Sequence, residues 1–146
     1  MRSLTRLSIL AVPVAALAVT AAFSTSSDDD IRAVRATVQH YLDGHATGDA
    51  EVMARAFHPS ARLQFVRDGQ VSIRSLEDYL GGFTGRPAAD EPERHRRVVM
   101  VDYAGTAAVA KIELDYPQAL ITDYMQLLEI DGEWKIVNKV FHVERK

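Results

Sequence analysis

Two small groups of polar side chains lie where the sequence pattern predicts buried surfaces, and both contain groups that can move protons. Tyr41 and His45 are one helical turn apart on the apolar face of a predicted helix. Asp123, Asn138 and His142 lie among apolar residues on one predicted face of a C-terminal β-hairpin. Histidine and carboxylate groups act as general acids or bases, and a tyrosine hydroxyl can donate to an oxyanion. The same side chains can equally be satisfied polar groups of a core.

The C-terminal hairpin is the clearest structural feature of the sequence. Residues 120–130 and 133–143 are rich in β-branched, aromatic and long apolar side chains. Asp131 and Gly132 between them form a dipeptide that is typical of two-residue hairpin turns. The sequence therefore predicts two long antiparallel strands that pair from this turn.

The register of this hairpin decides which side chains share a face. A two-residue turn predicts that Asn138 faces Met125 and that Val140 faces Asp123. The predicted inner face then holds Asp123, Asn138 and His142, which suits either the floor of a ligand pocket or a core with satisfied polar groups. The predicted outer face holds two lysines, Lys135 and Lys139.

A second hairpin is predicted from residues 95–103 and 106–116, with its turn at residues 104–105. Small alanines in the middle of its inner face leave room for a cavity. The predicted inner face consists of His95, Arg97, Val99, Val101, Ala108, Ala110, Ile112 and Leu114. At the open end of this hairpin, His95 and Arg97 are predicted either to be solvated or to meet an anionic ligand.

Helical periodicity and capping residues predict three helices before these hairpins. The first spans about residues 31–46. The second spans about residues 50–57 after the cap Asp49, which places His58 at its C-terminal end. The third is short and follows the cap Ser75.

One strand, residues 61–66, is predicted between the second and third helices, with Leu63 and Phe65 on the same side. Helices that precede long antiparallel hairpins are typical of an α+β fold. The predicted architecture is therefore a curved antiparallel sheet that wraps around three N-terminal helices.

Residues 1–27 have the composition of an export signal. Arg2 and Arg6 precede an apolar run over residues 7–23, and small residues near its end suit cleavage. The run is shorter than the roughly 20 residues of a membrane span. The sequence predicts an exported protein, periplasmic or secreted, with one domain at residues 28–146; an uncleaved N-terminal membrane anchor is the alternative.

Composition excludes several classes of function. The chain has no cysteine, which excludes disulfides, thiolate catalysis and zinc-thiolate sites. Its formal net charge is −3 and it has no long basic cluster, so nucleic acid is not an expected partner. No two histidines share one element at metal-binding spacing, so neither a metal nor another cofactor is predicted.

Three short runs resemble the nuclear-transport-factor-2-like (NTF2-like) superfamily: residues 41–49 (YLDGHATGD), 57–61 (FHPSA) and 131–137 (DGEWKIV). Residues 122–128 and 134–141 are most similar to the branch labelled putative lumazine-binding, a sibling of the SnoaL-like polyketide cyclases. The resemblance implies a cone-shaped α+β barrel of the NTF2-like or cystatin-like kind, with a pocket between sheet and helices. It also implies a homodimer formed through the outer sheet face.

Ketosteroid isomerases of this superfamily hold an oxyanion with a first-helix tyrosine and a sheet aspartate. Tyr41 lies where that tyrosine stands, and Asp123 lies near the position of that aspartate. The general base of those enzymes is an aspartate on the first strand, where this chain has Phe65. Phenylalanine cannot take a proton, so steroid isomerisation is not predicted.

The sequence therefore predicts a small-molecule-binding domain and leaves open whether the protein is an enzyme. The predicted ligand is small and hydrophobic or aromatic, and its predicted contacts are Tyr41, His45, Phe65, Asp123, Met125, Asn138 and His142. One alternative is a lyase or isomerase of the SnoaL or dehydratase kind, with a histidine as base and Tyr41 as donor. Its catalytic candidates are Tyr41, Asp123, His45 and His142. A second alternative is a dimeric interaction domain whose cavity is filled by its own side chains.

Overall fold

Residues 20–146 are described by a computed structural model, with side chains from Asp28 onward. The helices are α1 (Thr20–Thr47), α2 (Ala50–Ala54) and α3 (Leu76–Leu80), with a 3-10 turn at Glu91–Glu93. The strands are β1 (Phe57–Arg67), β2 (Gln70–Ser75), β3 (His95–Ala104), β4 (Ala107–Tyr116), β5 (Ala119–Ile130) and β6 (Glu133–Arg145). They form one curved six-stranded sheet in the order β2-β1-β6-β5-β4-β3, in which only the β1–β6 pair is parallel among the described strands. The predicted α+β class is confirmed.

The first helix starts earlier than the sequence pattern predicts. α1 begins at Thr20 and not near residue 31, because residues 20–30 contain no glycine or proline that would end a helix. Residues 1–19, which hold most of the predicted export signal, lie outside the described residues. Within the described part of the chain, no helix is long and apolar enough to cross a membrane.

The buried face of α1 and the two predicted caps agree with the sequence. Val34, Val38 and Tyr41 of α1 are fully buried. The Asp49 side chain accepts hydrogen bonds from two backbone N–H groups in the first turn of α2, as a cap should. Ser75 caps α3 in the same way.

The region after α2 differs from the prediction. α2 ends after five residues, and β1 already begins at Phe57, so His58 lies in a strand and not at a helix end. Tertiary pairing decides this, because Phe57 is paired with Ile136 of β6 and both side chains are buried. The pairing of β1 with β6 shifts between Phe57 and Arg62, around Pro59, which has no backbone N–H to donate.

The hairpin formed by β1 and β2 contains a strand that the sequence pattern misses. Asp68 and Gly69 make its turn, both with positive φ. β2 has the alternating sequence of a strand, but its apolar residues Val71 and Ile73 are exposed. The strand also carries Arg74 to the region of the candidate site.

The β3–β4 hairpin turns one residue later than predicted. Its turn lies at residues 105–106, and Ala104 pairs with Ala107. A further irregularity lies between Val98 and Met100, where the register shifts by one residue. The shift between Val98 and Met100 inverts the faces of the residues before it, whereas the later turn changes the pairing by two residues and leaves the faces as predicted.

The shift within β3 makes one end of the predicted inner face wrong. Three residues predicted to face inward are exposed: His95, Arg97 and Val99. Arg96 and Val98 are partly buried in their place. The middle of the face is as predicted, because Ala108 and Ala110 are buried.

The β5–β6 hairpin turns as predicted but does not keep its register. Asp131 and Gly132 form the turn with φ values of 53° and 80°. The predicted pairing holds as far as Leu127 and Ile136. Val137 then has no partner in β5, which makes a β-bulge.

The bulge inverts the faces of the rest of β6. Asn138 pairs with Gln126, and Lys139 takes the predicted place opposite Met125. Lys139, predicted to lie on the outer face, is only 4% exposed. The prediction that Asn138 and His142 share a face with Asp123 is therefore wrong, because one extra residue moves every later side chain to the opposite face.

Candidate functional site

Three polar side chains from three different elements meet in the interior between α1 and the sheet. The Tyr41 hydroxyl donates a hydrogen bond to Oδ2 of Asp123 at 2.6 Å. The Lys139 ammonium donates to the Tyr41 hydroxyl oxygen at 2.9 Å, and its Nζ lies 3.1 Å from Oδ1 of Asp123. Tyr41 and Asp123 are fully buried. We refer to these three residues as the Tyr–Asp–Lys cluster.

The cluster contains one incompletely satisfied atom. Oδ1 of Asp123 accepts no well-directed hydrogen bond from the described residues, although Nζ of Lys139 is at ion-pair distance. The 3.1 Å distance between Nζ and Oδ1 makes the two charges an ion pair. The ion pair leaves a lone pair of Oδ1 without a hydrogen-bond donor. The charge of this buried carboxylate is compensated by the Lys139 ammonium, and removing that cation would strongly destabilise the fold.

Aromatic rings enclose the ammonium group of Lys139. Its Nζ lies 5.0 Å from the ring centre of Tyr41, 5.1 Å from that of Tyr79 and 4.7 Å from that of Phe141. These distances are within the range of cation–π attraction. The rings stabilise the cation and separate it from solvent.

Burial changes the acid–base properties of the cluster. Burial lowers the pKa of the Lys139 ammonium, while the nearby charge of Asp123 opposes this shift. Burial also raises the pKa of the Tyr41 hydroxyl well above its usual value, and the charge of Asp123 adds to that. Tyr41 is therefore a neutral hydrogen-bond donor at ordinary pH, and Lys139 loses its proton more readily than a surface lysine.

A second polar pair lies beside the cluster. The Tyr79 hydroxyl and Nε2 of His45 are 2.9 Å apart, and the rings of His45 and Tyr41 meet edge to face at 4.7 Å. Burial lowers the pKa of His45 to about 3, and the positive charges of Lys139, Arg96 and Arg94 add to the effect. His45 is therefore neutral at ordinary pH and is a weak base.

We expect the depressed pKa of His45 to make the folded chain less stable in acid. Between about pH 6.5 and pH 3 the unfolded chain binds a proton at His45 and the folded chain does not, so stability is lost as the pH falls through this window. The His45 contribution to the slope approaches about 1.4 kcal/mol per pH unit. Denaturant unfolding across this range should show a shallower slope in His45→Gln. The matched variant His40→Gln, on the same helix, should keep the slope of the unmodified chain; equal slopes in all three proteins would contradict the assignment.

Two cavities flank the cluster. One of about 430 Å³ is lined by His45, Tyr79, Arg74 and Arg94, among others. The other, of about 340 Å³, is lined by Phe65, Phe141 and again Arg74. Tyr79 lines the first cavity and Phe141 the second, and Nζ of Lys139 lies 5.1 Å and 4.7 Å from the centres of these two rings.

The predicted ligand contacts are distributed unequally around this site. Phe65 lines the smaller cavity and stacks on Phe141 at 4.8 Å, and Met125 is buried in the core. Asn138 binds Gln64 at 2.8 Å and Gln126 at 3.0 Å on the other side of the sheet. His142 is exposed at the rim of the smaller cavity.

The sequence pattern brings Tyr41, His45 and Asp123 to the site but misses Lys139 and Tyr79. Alternation along β6 predicts Lys139 as an outer residue, because nothing local in the sequence marks the bulge at the unpaired Val137. Tyr79 has the spacing of an apolar-face residue of α3, and that spacing gives no sign of its hydroxyl partner His45. In the described part of the chain, no group of three or more histidine or carboxylate side chains is placed to hold a metal ion.

Comparison with known proteins identifies relatives that span most of the chain. The sequence profile of a family described as "Putative lumazine-binding" matches residues 29–142. The chain is 27% identical over 118 residues to "Aldolase FrzH" from Cladobotryum sp, which covers 81% of this chain and 93% of that protein.

Solved structures of NTF2-like proteins share the fold. One from Shewanella baltica OS155 superposes with a TM-score of 0.73 at 24% identity, covering 81% of this chain and 96% of the other. One from Methylobacillus flagellatus KT superposes with a TM-score of 0.69 at 28% identity, covering 80% and 93%.

Proposed function

The chain belongs to the family described as "Putative lumazine-binding", within the NTF2-like fold, and on that premise we propose that it binds a small hydrophobic or aromatic molecule between its sheet and its helices. The ligand carries a carbonyl or enolic oxygen. Its apolar body is placed against the rings of Tyr79 and Phe141, and its oxygen is directed to the Tyr–Asp–Lys cluster.

The observation that carries this proposal is the buried cluster itself. Removing an ammonium and a carboxylate from water costs several kcal/mol for each ion, and apolar side chains of the same volume would often give a more stable core. Lys139 has three N–H donors, and the single hydroxyl proton of Tyr41, which is donated to Asp123 in the free chain, can turn to a ligand oxygen on binding, so that two donors converge on it. An oxygen with partial negative charge is the group that such donors bind best.

A second candidate function is carbon–carbon bond chemistry beside a carbonyl group. The similarity to a protein named an aldolase favours it over the other reactions found on this fold. In this chain the acid and base would come from the Tyr–Asp–Lys cluster. His45 is a poor choice of base because its pKa is about 3.

Native mass spectrometry of the full chain purified from its own host tests the binding proposal. A retained molecule should appear as a mass excess that disappears on denaturation, and its fragments should show a carbonyl or enol group. The same preparation should then bind added aryl ketones. A chain that carries nothing and binds no such ketone would favour an interaction domain filled by its own side chains.

Tyr41→Phe is expected to affect both stability and binding. The change leaves the buried carboxylate of Asp123 without its 2.6 Å donor, which should lower the free energy of unfolding by about 1–3 kcal/mol. It also removes a donor to the ligand oxygen, which should weaken binding of an aryl ketone about tenfold. Denaturant unfolding and calorimetric titration measure the two effects. Tyr124→Phe, at a tyrosine that is 50% exposed, is the matched control and should change neither quantity.

We further propose that two copies of the chain pair through the outer face of the sheet. That face exposes a set of large apolar side chains: Val109, Tyr124, Leu128 and Val140. Contiguous exposed apolar surface of this kind is typical of protein interfaces. Light scattering should report a dimer, and the double change Tyr124→Lys with Leu128→Lys should give a monomer that keeps its ketone affinity.

We also propose export of the mature chain, on the evidence of Arg2, Arg6 and the apolar run over residues 7–23. N-terminal sequencing of the extracytoplasmic protein should find a start between about residues 19 and 28. Recovery of intact Met1 in a membrane fraction would favour the anchored alternative.

A further inference from the structure

We propose that Lys139 is a reactive amine that forms a Schiff base with the carbonyl carbon of an aldehyde or ketone ligand, with Tyr41 and Asp123 moving the protons. This inference rests on the proposed function, because the carbonyl compound must first enter the pocket. It goes further by assigning a covalent step to one named atom, Nζ of Lys139.

The surroundings of Lys139 are those of a nucleophilic lysine. Its side chain is 4% exposed, and its Nζ contacts one carboxylate, one hydroxyl and the faces of three aromatic rings. A desolvated ammonium loses its proton more easily than one in water, and the free amine is the nucleophile. Arg74, which lines both cavities, adds a positive charge that acts in the same direction.

The other lysines of the chain lack this environment. The sequence contains four: Lys111, Lys135, Lys139 and Lys146. Each of the other three forms an ion pair with a carboxylate near the surface, and their side chains are 27% to 46% exposed. A reagent that selects for a desolvated amine should therefore distinguish Lys139 from the rest.

The geometry supplies both protons that the reaction needs. A shift of one proton from Nζ of Lys139 to the free side of Oδ1 of Asp123, 3.1 Å away, gives an amine and a carboxylic acid with no change in net charge. The amine lone pair then forms a bond to the carbonyl carbon. Tyr41 donates its proton to the carbonyl oxygen. A half-turn of the Asp123 carboxyl group then brings its acidic proton to the side of the Tyr41 oxygen, which lies 2.6 Å from Oδ2, and reprotonates it.

In the second half of the reaction, a proton moves from the nitrogen to the oxygen of the carbinolamine so that water can leave. The nitrogen of the carbinolamine gives up a proton to Asp123, which passes it through Tyr41 to the hydroxyl group that leaves. The carbon–oxygen bond breaks, water departs and a carbon–nitrogen double bond forms. No oxidant, reductant or metal is needed, and the reaction reverses when water is added.

Access to the amine requires one aromatic ring to move. Tyr79 and Phe141 each contact Nζ with their ring and line one of the two cavities, which Lys139 itself does not line. Rotation of either side chain about χ1 opens a path of one ring thickness, which a flat aryl ketone can fill in place of the displaced ring.

The test uses 1-phenyl-1,3-butanedione with the full chain near neutral pH. This diketone condenses with an unprotonated amine, loses one water and gives an enaminone that has a new ultraviolet absorption band. We expect the intact protein to gain the mass of one diketone minus one water. Peptide mapping should place the label on Lys139, with at least about tenfold preference over each other lysine, because a buried ammonium loses its proton more easily than a solvated one.

Two arginine variants provide the matched comparison. Lys139→Arg keeps a cation beside Asp123 but has no nucleophilic amine, so it should lose the label and the absorption band. Lys135→Arg, at the surface of the same strand, should label like the unmodified chain. Because the mapping is made on the unmodified chain, the result stands even if Lys139→Arg folds poorly.

Reversible binding of the same diketone separates this inference from the function on which it rests. If calorimetry shows binding but Lys139 is not labelled, the proposed binding function is supported and the proposed Schiff base at Lys139 is overturned. If there is neither binding nor labelling, both are overturned. Equal labelling of all four lysines also overturns the reactive amine, because it would show ordinary surface reactivity.

Discussion

Replacing Lys139 by methionine is expected to lower the free energy of unfolding by about 3–5 kcal/mol. Methionine fills a similar volume, so the loss comes from charge and not from a cavity. Asp123 is fully buried and would keep a carboxylate in the interior without its cation. Among the described residues, Tyr41 remains as the other side chain that donates to it. Denaturant unfolding at neutral pH measures the effect.

A lysine on the same strand provides the matched control. Lys135 is paired with Glu133, but the two side chains are 27% and 70% exposed. Lys135→Met should therefore change stability by less than about 1 kcal/mol. Similar losses of stability in the two variants would show that Lys139 stabilises the fold through its apolar methylene groups and not as the counter-ion of Asp123.

A double change tests the pairing directly. Asp123→Asn removes the buried charge that Lys139→Met leaves behind, so the two changes together should cost less than the sum of the separate costs. We expect a coupling energy of about 1–3 kcal/mol. Additive losses would mean that the 3.1 Å contact between Nζ and Oδ1 is energetically unimportant.

The features that the sequence predicts correctly depend on local chemistry. Asp49 and Ser75 cap helices because their side chains reach backbone N–H groups two or three residues away. Asp131 and Gly132 turn the chain because both adopt positive φ with little cost. Tyr41 is buried because it continues the apolar stripe of α1.

The features that the sequence does not predict depend on one extra residue in a strand. The unpaired Val137 decides whether Lys139 or Asn138 faces Asp123, and no residue type near it marks the bulge. A tertiary contact stabilises the bulge, because the bulge places the Lys139 ammonium beside the buried carboxylate of Asp123. In the same way, Phe57 becomes part of a strand only because β6 is available to pair with it. A register that is set by distant partners cannot be derived from alternation within one strand.

Gly48 is the second position where a small change should have a large effect. It follows α1 with φ of +67°, and a Cβ there would lie 2.0 Å from the backbone oxygen of Arg86. Its own carbonyl oxygen accepts a hydrogen bond from Gly85 at 2.8 Å. The end of α1 is therefore in direct backbone contact with the loop at residues 84–88, of which Thr84, Arg86, Pro87 and Ala88 line the larger cavity beside His45.

Gly48→Ala is expected to destabilise the chain by about 2–5 kcal/mol. The left-handed conformation costs a residue with a side chain about 1–2 kcal/mol. Displacement of the loop by the new methyl group adds about 1–3 kcal/mol. Denaturant unfolding measures the sum, and calorimetric titration with an aryl ketone should show weaker binding because the cavity wall has moved.

Gly85→Ala separates the two causes. Gly85 also has a positive φ, of +74°, but no atom lies within 4 Å of a Cβ built on it. Its replacement should therefore cost only the conformational part, about 1–2 kcal/mol, and leave ketone binding unchanged. Equal losses of stability in the two variants would show that backbone conformation alone is responsible. A larger loss in Gly48→Ala, together with weaker binding, would show that the contact between α1 and the loop shapes the pocket.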